Sequence, residues 1–142
     1  MIKIHTILDT NIIFSALYSR LEASHQVLQA VLAKNIQPIL SVTLLFEYED
    51  VLKRNSEKLG IKYFDIDALL NVLCYLGKFQ KIYYLWRPFL PDPKDDHVLE
   101  LAVASGVQTI TTFNRTDFKG VEKFGIEIIS PQNLLEKIKW EL

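Results

Sequence analysis

The sequence predicts an α/β fold of three layers, with helices on both faces of a mostly parallel sheet of four or five strands. Short apolar runs rich in β-branched residues alternate with longer segments of helical periodicity along the chain. Several of these runs lead directly into a helix through a polar capping residue, which is typical of successive β–α units. With 142 residues the chain can bury a core without disulfides, so one domain over residues 1–142 is expected.

Composition narrows the classes of protein that fit. The net charge of −1 and the pI of about 6.3 give no overall attraction to nucleic acid, so nucleic-acid binding would need a local cluster of Lys and Arg. The single cysteine, Cys74, cannot form an internal disulfide. No apolar run approaches membrane-spanning length and the N-terminus has no signal-peptide pattern, so a cytoplasmic protein that does not bind membranes is expected.

The first half of the chain predicts two strands and three helices. They are expected as strands over 2–8 and 36–40 and as helices over 11–18, 21–34 and from residue 41 or 43 to 54. Ser19 is the expected cap of the second helix. The third helix places Asp50 opposite its apolar stripe and Glu47 at the edge of that stripe, near the end of the second strand. Asp50 is therefore expected to be solvated surface.

The second half predicts further alternation of helices and strands. The expected elements are a turn or short helix over 55–63, a helix over 66–76, a strand over 79–85, a helix ending at residue 106, strands over 107–112 and 126–129, and a helix over 131–140. The predicted helix that ends at residue 106 begins at Asp92-Pro93, the pattern of a capping residue followed by proline at the first helical position. Asp95 and Asp96 follow in its first turn, where the helix dipole favours negative charge.

Acidic residues follow the predicted strands or begin the helices that connect them. They are Asp9, Glu47, the pair Asp95 and Asp96, and Asp117. The carboxyl ends of parallel strands lie at one edge of a sheet, so these side chains are expected to converge there. Converging carboxylates repel one another but suit a hard cation such as Mg²⁺ or Mn²⁺. Helix capping for the aspartates, and a solvated flank for Glu47, are the structural alternatives.

A cation held by carboxylates and waters indicates phosphate chemistry, because it can activate water and neutralise charge on a phosphodiester. Arg115, Lys119, Lys94 and Arg87 lie near these acids in the sequence and either bind an RNA backbone or are solvated charges. Phe14 and Tyr18 either stack a base or pack in the protein. His97 is expected to be a surface residue in the first turn of its helix rather than a catalytic group.

Three other classes of protein fit the sequence less well. The chain has no Gly-rich phosphate loop and no Gly-x-Ser-x-Gly motif, which excludes the common nucleoside-triphosphate and serine-hydrolase sites. A phospho-accepting receiver domain also gathers acids around Mg²⁺, but it needs an aspartate that ends a middle strand. In this chain the middle acids lie on predicted helices.

Four segments together resemble the successive signatures of the PIN-domain family, in the right order and spacing over nearly the whole chain. They are Asp9-Thr10-Asn11, residues 44–48 around Glu47, residues 92–97 and residues 112–118. The chain most resembles the branch of VapC-like toxins of toxin–antitoxin systems. The resemblance implies a metal-dependent endoribonuclease with a PIN-like α/β/α fold, an RNA substrate, a cognate antitoxin protein and a homodimer. A non-catalytic PIN-like module that binds RNA or protein is the alternative.

The resemblance also implies roles for individual residues. The catalytic acids would be Asp9, Glu47, Asp96 and Asp117, and the ligands of Mg²⁺ or Mn²⁺ would be Asp9, Glu47, Asp95, Asp96 and Asp117. Counting back from Gly106 favours Asp95 over Asp96, whereas helix packing favours Asp96, so both are retained. The supporting or substrate-binding residues would be Thr10, Asn11, Thr112, Asn114 and Arg115.

Overall fold

Five parallel strands form one sheet in the computed structural model, which describes residues 4–82 and 90–141. They are β1 (Ile4–Leu8), β2 (Ile36–Leu40), β3 (Lys78–Phe79), β4 (Thr109–Thr111) and β5 (Glu127–Ile129), in the spatial order β3-β2-β1-β4-β5. Every pair of neighbouring strands is parallel. The predicted α/β class and parallel sheet are therefore confirmed.

Helices flank this sheet. The described α-helices are α1 (Thr10–Tyr18), α2 (Ala23–Leu32), α3 (Val42–Arg54), α4 (Ser56–Leu59), α5 (Tyr63–Leu76), α6 (Asp96–Ser105) and α7 (Pro131–Glu141). Short 3-10 helices lie at Pro93–Asp95, Arg115–Phe118 and Val121–Phe124. The arrangement agrees with the three-layer α/β/α fold that the sequence predicts. Across the described part of the chain, no helix combines the length and the apolar character needed to cross a membrane.

The central strand β1 is buried except at His5, as expected for a strand that has a neighbouring strand on each side. Ile7 and Leu8 are completely buried, and the one polar residue beside them, Thr6, lies 2.9 Å from the hydroxyl of Thr111 in β4. The chain continues from β1 to β2 and β3 on one side, and β4 and β5 lie on the other. The carboxyl end of β1 is thus the point where strand order reverses, which is where open α/β sheets bind ligands.

Short polar residues begin the two helical segments that carry candidate site residues. The hydroxyl of Ser41 accepts a hydrogen bond of 3.0 Å from the Leu44 N–H, so α3 begins at the first of the two starts that the sequence allowed. Asp92 accepts from the Lys94 N–H at 3.0 Å and is followed by the expected proline. The turn after Asp92 is a 3-10 helix, however, and α6 itself begins only at Asp96.

Three expected elements differ from the structure. Ser19 does not cap the second helix, because α2 begins at Ala23 and the Ser19 hydroxyl instead accepts from the Leu21 N–H at 3.3 Å. Of the strand expected over 79–85, only Phe79 lies in β3 among the described residues, and residues 80–82 follow it outside any strand. The strand expected over 107–112 is limited to Thr109–Thr111. Residues 2, 3, 83–85 and 87 of the expected elements and sites lie outside the described residues.

Gly77 allows β3 to lie close to β2. A Cβ atom at this position would lie 2.8 Å from Leu40 Cδ1 and 2.9 Å from the carbonyl oxygen of Pro38. Any side chain would therefore push the two strands apart. The expected end of the helix at this glycine is confirmed, because α5 ends at Leu76.

Candidate active site

Asp9 lies directly after β1 and begins α1, so it is both a helix cap and a candidate ligand. Its Oδ1 accepts from the Thr10 N–H at 2.9 Å. Its Oδ2 accepts from the Thr112 hydroxyl at 2.7 Å and from the Asn11 side-chain amide at 3.4 Å. The side chain is only 7% exposed. Asp9 is thus fixed at the boundary between β1 and β4, where the strand order reverses.

Two of the predicted supporting residues form a small network around Asp9. The Thr112 hydroxyl accepts from the Asn11 amide at 3.3 Å and from the Asn114 N–H at 3.0 Å, while it donates to Asp9. Asn114 therefore contributes a backbone group to this network. Arg115 is placed differently, since it is exposed and its guanidinium points to the Ile128 carbonyl at 3.5 Å. Thr112 and Asn11 thus join the turn after β4 to the start of α1.

Glu47 lies in the second turn of α3, and both of its carboxylate oxygens are engaged. Oε1 accepts from the Thr10 hydroxyl, and Oε2 lies 2.8 Å from His97 Nε2. The neighbouring residue, Tyr48, is fully buried and donates its hydroxyl to the carbonyl of Leu8 at the end of β1. Glu47 is therefore a held side chain beside Asp9 rather than a solvated flank of the helix.

His97 corrects the expectation that it is a surface residue. It is 4% exposed and forms the contact with Glu47 from the first turn of α6. The signal that could have identified it is the sequence after it, because residues 98–102 are apolar apart from Glu100 and give α6 little polar surface. A helix without a polar face is buried all round, and its first turn is buried with it.

Asp95 and Asp96 have different surroundings. Asp96 is 1% exposed, and its Oδ1 accepts from the Leu90 N–H at 2.8 Å, so it holds the chain that leads into α6. Asp95 is half-buried and lies in the field of four other carboxylates, those of Asp9, Asp117, Asp92 and Glu47. The structure thus brings Asp95 to the other acids. The inclusion of Asp96 among the catalytic acids stays a prediction.

Asp117 reaches this group from the 3-10 helix at Arg115–Phe118, which follows β4. It is partly buried, its N–H donates to the Asn114 carbonyl at 3.1 Å, and its carboxylate raises the pKa of Asp95. Asp95 therefore lies within the electrostatic influence of Asp9, Glu47 and Asp117, although the four acids come from four separate parts of the chain.

The pKa values of these acids show which charges the site tolerates. Burial raises the pKa of Asp9, and the Glu47 carboxylate raises it further against hydrogen bonds from Thr112 and Thr10. Burial and then the surrounding carboxylates raise the pKa of Asp95 to about 6. Burial also acts to raise the pKa of Glu47, but hydrogen bonds from His97 and Thr10 outweigh it and leave the pKa lowered. Glu47 is thus the acid that the protein itself stabilises as a carboxylate.

The donor chemistry fits a hard divalent cation. The four carboxylates offer oxygen ligands, and the repulsion that raises the pKa of Asp95 is what a cation would relieve. Within residues 4–82 and 90–141, no three His, Cys, Asp or Glu side chains are gathered closely enough to form a compact metal cage. Mg²⁺ does not require one, since proteins usually bind it through one or two carboxylates and several waters.

The other candidate residues are at the surface near these acids. Lys94, Arg115 and Lys119 are exposed. Phe14 and Tyr18 pack against each other edge to face with centroids 5.7 Å apart, and Lys58 covers both rings. Phe14 and Tyr18 therefore pack within the protein, and their rings are not open for stacking on a base. A pocket of about 780 Å³ lies beside Asp117, and its wall includes Arg115, Lys119 and the edge strand β5.

Comparison with known proteins identifies the family of this chain. No curated protein matches it. A family model described as a PIN domain matches residues 5–116, which include Asp9, Glu47 and Asp95 and end just before Asp117. PIN domains have a nuclease fold and are generally nucleases, which supports a hydrolase. Because the match covers well over half of the sequence and the sheet and helices agree with it, this chain belongs to the PIN-domain family.

Proposed function

We propose that this protein is a metal-dependent endoribonuclease that hydrolyses RNA phosphodiesters and leaves a 5′-phosphate. The observation that supports the proposal is the position of Asp9 and Glu47 at the carboxyl end of β1, where Thr10 donates hydrogen bonds to both, with Asp95 and Asp117 contributed by later segments. Phosphodiester hydrolysis needs positive charge at such an edge, because the substrate is itself an anion. Membership of a family of nucleases indicates the reaction class. We use the term acid edge for Asp9, Glu47, Asp95 and Asp117 at the carboxyl ends of the strands, and we propose that the reaction takes place there.

Asp9, Glu47, Asp95 and Asp117 would hold Mg²⁺ or Mn²⁺. When bound, the cation supplies an activated water and neutralises charge on the phosphodiester. The protein contributes orientation: Thr112 and Asn11 hold Asp9, and Thr10 holds Glu47. Burial of Asp9 excludes bulk water from its carboxylate and strengthens its attraction to a cation. Lys94, Arg115 and Lys119 would contact the phosphates of the flanking RNA.

The decisive experiment is cleavage of a 5′-end-labelled RNA with Mn²⁺, compared with cleavage in EDTA. Asp9→Asn, Glu47→Gln and Asp95→Asn are expected to abolish cleavage, because each removes a carboxylate from the edge. Asp50→Asn is the matched control, since Asp50 is exposed on α3 and pairs with Arg54 at 3.1 Å. Cleavage that survives EDTA, or survives all three substitutions, would end the proposal.

We further propose that the nuclease is a cytoplasmic toxin of a toxin–antitoxin pair, that it forms a homodimer, and that an antitoxin protein blocks its acid edge. The resemblance to VapC-like chains suggests these partners, and exposed apolar side chains on α3 and α5 are suitable for protein contacts. They are Val42, Phe46, Phe64 and Tyr75, each more than half exposed. If light scattering finds only monomers, the proposed homodimer is ruled out. Normal growth of cells that express the protein without an antitoxin would rule out the toxin role.

A further inference from the structure

One hydrogen bond joins two of the elements that carry the acid edge. His97 in the first turn of α6 lies 2.8 Å, from Nε2 to Oε2, from Glu47 in the second turn of α3. Asp95 lies two residues before His97, at the end of the 3-10 turn that leads into α6. The separation of Glu47 from Asp95 therefore depends on the contact that His97 forms.

The remaining environment of His97 shows that this contact is its principal polar interaction. The ring is almost fully buried, and its Nδ1 has no hydrogen-bond partner among the described residues. Buried polar atoms without a partner are uncommon in folded proteins, and they call for a functional reason. If His97 were only a core residue, an apolar side chain would fill its place in α6 without leaving a buried nitrogen unsatisfied.

Two residues from different helices contact the Glu47 carboxylate. Thr10, next to Asp9 at the start of α1, donates to Oε1, whereas His97 contacts Oε2 from α6. Glu47 is thus connected to the neighbourhoods of both Asp9 and Asp95. Carboxylate ligands of metals are commonly oriented in this way by hydrogen bonds from residues that do not touch the metal themselves.

We propose that His97 is a positioning residue that fixes the Glu47 carboxylate at the distance from Asp95 that a divalent cation needs. This inference rests on the proposed function, because it assigns His97 a role in the same site. His97 does not need to contact RNA or cation. Its Nε2–H donates to Glu47, and the imidazole is buried.

The test is the affinity of the whole protein for Mn²⁺ alone, measured by isothermal titration calorimetry. His97→Leu fills a similar volume among apolar neighbours but removes the donor, whereas His97→Gln keeps an N–H donor at a similar reach. His97→Leu is expected to weaken Mn²⁺ binding by roughly 10- to 100-fold, the usual effect of losing an orienting partner. His97→Gln should recover most of the affinity. In RNA cleavage, kcat should fall in His97→Leu while KM for RNA stays unchanged.

The outcomes separate this inference from the proposed function. Mn²⁺ binding in His97→Leu equal to that of the unaltered protein, with a changed melting temperature alone, would show that His97 is only structural. Equal loss in His97→Leu and His97→Gln would overturn the inference as well. Asp95→Asn serves as the reference: if it binds Mn²⁺ as tightly as the unaltered protein, or if the unaltered protein does not bind Mn²⁺, the proposed metal site fails and this inference fails with it.

Discussion

Asp95 is the residue at which the negative charge of the acid edge has its largest consequence. Burial and the neighbouring carboxylates raise its pKa from its usual value of 3.8 to about 6. The folded protein therefore binds a proton in this range of pH that the unfolded chain has already released. It follows that Asp95 lowers the free energy of unfolding progressively as the pH rises from about 4 through about 6.

Replacing this carboxylate should therefore stabilise the fold. Asp95→Asn is expected to raise the free energy of unfolding by about 1 kcal/mol near neutral pH, after allowance for solvent screening of a half-buried group. The gain should disappear below about pH 3, under the usual pKa of 3.8, where Asp95 is protonated in both states. Urea denaturation in EDTA at the two pH values measures the difference. Asp50→Asn should show no such gain, and a loss of stability in Asp95→Asn at neutral pH would contradict the charge repulsion described.

Sequence could identify the acids at this scale but not their orientation. Asp95 and Asp96 share one turn, and neighbouring side chains in a helix differ by about 100° in direction, so spacing alone does not decide which faces the edge. The 3-10 turn after Asp92 decides it, and its geometry depends on the chain before α6. The burial of His97 likewise follows from tertiary packing around α6.

At the scale of elements, the position of α3 against β1 determines where Glu47 lies. The hydroxyl of Tyr48 donates to the Leu8 carbonyl, the last backbone acceptor of β1 before Asp9. This bond is fully buried, so water cannot replace the donor if it is removed. The helix that carries Glu47 is thus fastened to the strand that ends at Asp9.

Tyr48→Phe is expected to lower the free energy of unfolding by about 1–2 kcal/mol, because it leaves a buried carbonyl without this donor. The comparison is Tyr63→Phe, which removes a hydroxyl from a side chain that is 55% exposed and should change stability little. Chemical denaturation of both variants under identical conditions measures the effect. Equal stability of Tyr48→Phe and the unaltered protein would show that the contact with Leu8 contributes nothing.

Helix starts were predictable from the sequence and strand lengths were less so. The caps at Ser41 and Asp92 are local signals, since each side chain bonds to an N–H within three residues. A strand needs a neighbour over its whole length, and β2 ends at Leu40, opposite Phe79. The same dependence on pairing limits β4 to three residues. Propensity alone therefore overestimates both strands.

At the scale of the whole molecule, charge is distributed unevenly although its sum is only −1. The acid edge lies at the carboxyl ends of the strands, with exposed Lys94, Arg115 and Lys119 close to it in the sequence. At the opposite end, Lys137 lies beside Ile4 at the start of β1. An RNA strand attracted to the acid edge would therefore meet the first set of cations and not the second.

This distribution predicts a specific salt dependence of RNA binding. Removal of one phosphate contact from single-stranded RNA reduces the slope of log affinity against log salt by about 0.7. Lys119→Ala, combined with Asp9→Asn to prevent cleavage, is expected to show this reduction. Lys137→Ala in the same background should leave the slope unchanged. Fluorescence anisotropy over a range of salt concentrations gives the slopes, and equal changes in the two variants would place the RNA elsewhere.

The class of fold was the most predictable property of the whole molecule. Alternation of apolar runs and helical segments is distributed along the entire chain, so errors of a few residues in β3 or β4 do not change the parallel sheet that results. The organisation as one domain stays a prediction.

The neighbours of Asp9 have a consequence for the chain during its synthesis. β1 is made first, yet β4 and the Thr112 that holds Asp9 follow about a hundred residues later. A growing chain therefore carries Asp9 and Glu47 without Asp117 and without the strand that locates them together. The proposed hydrolysis at this edge can therefore begin only after β4 and Asp117 have been synthesised.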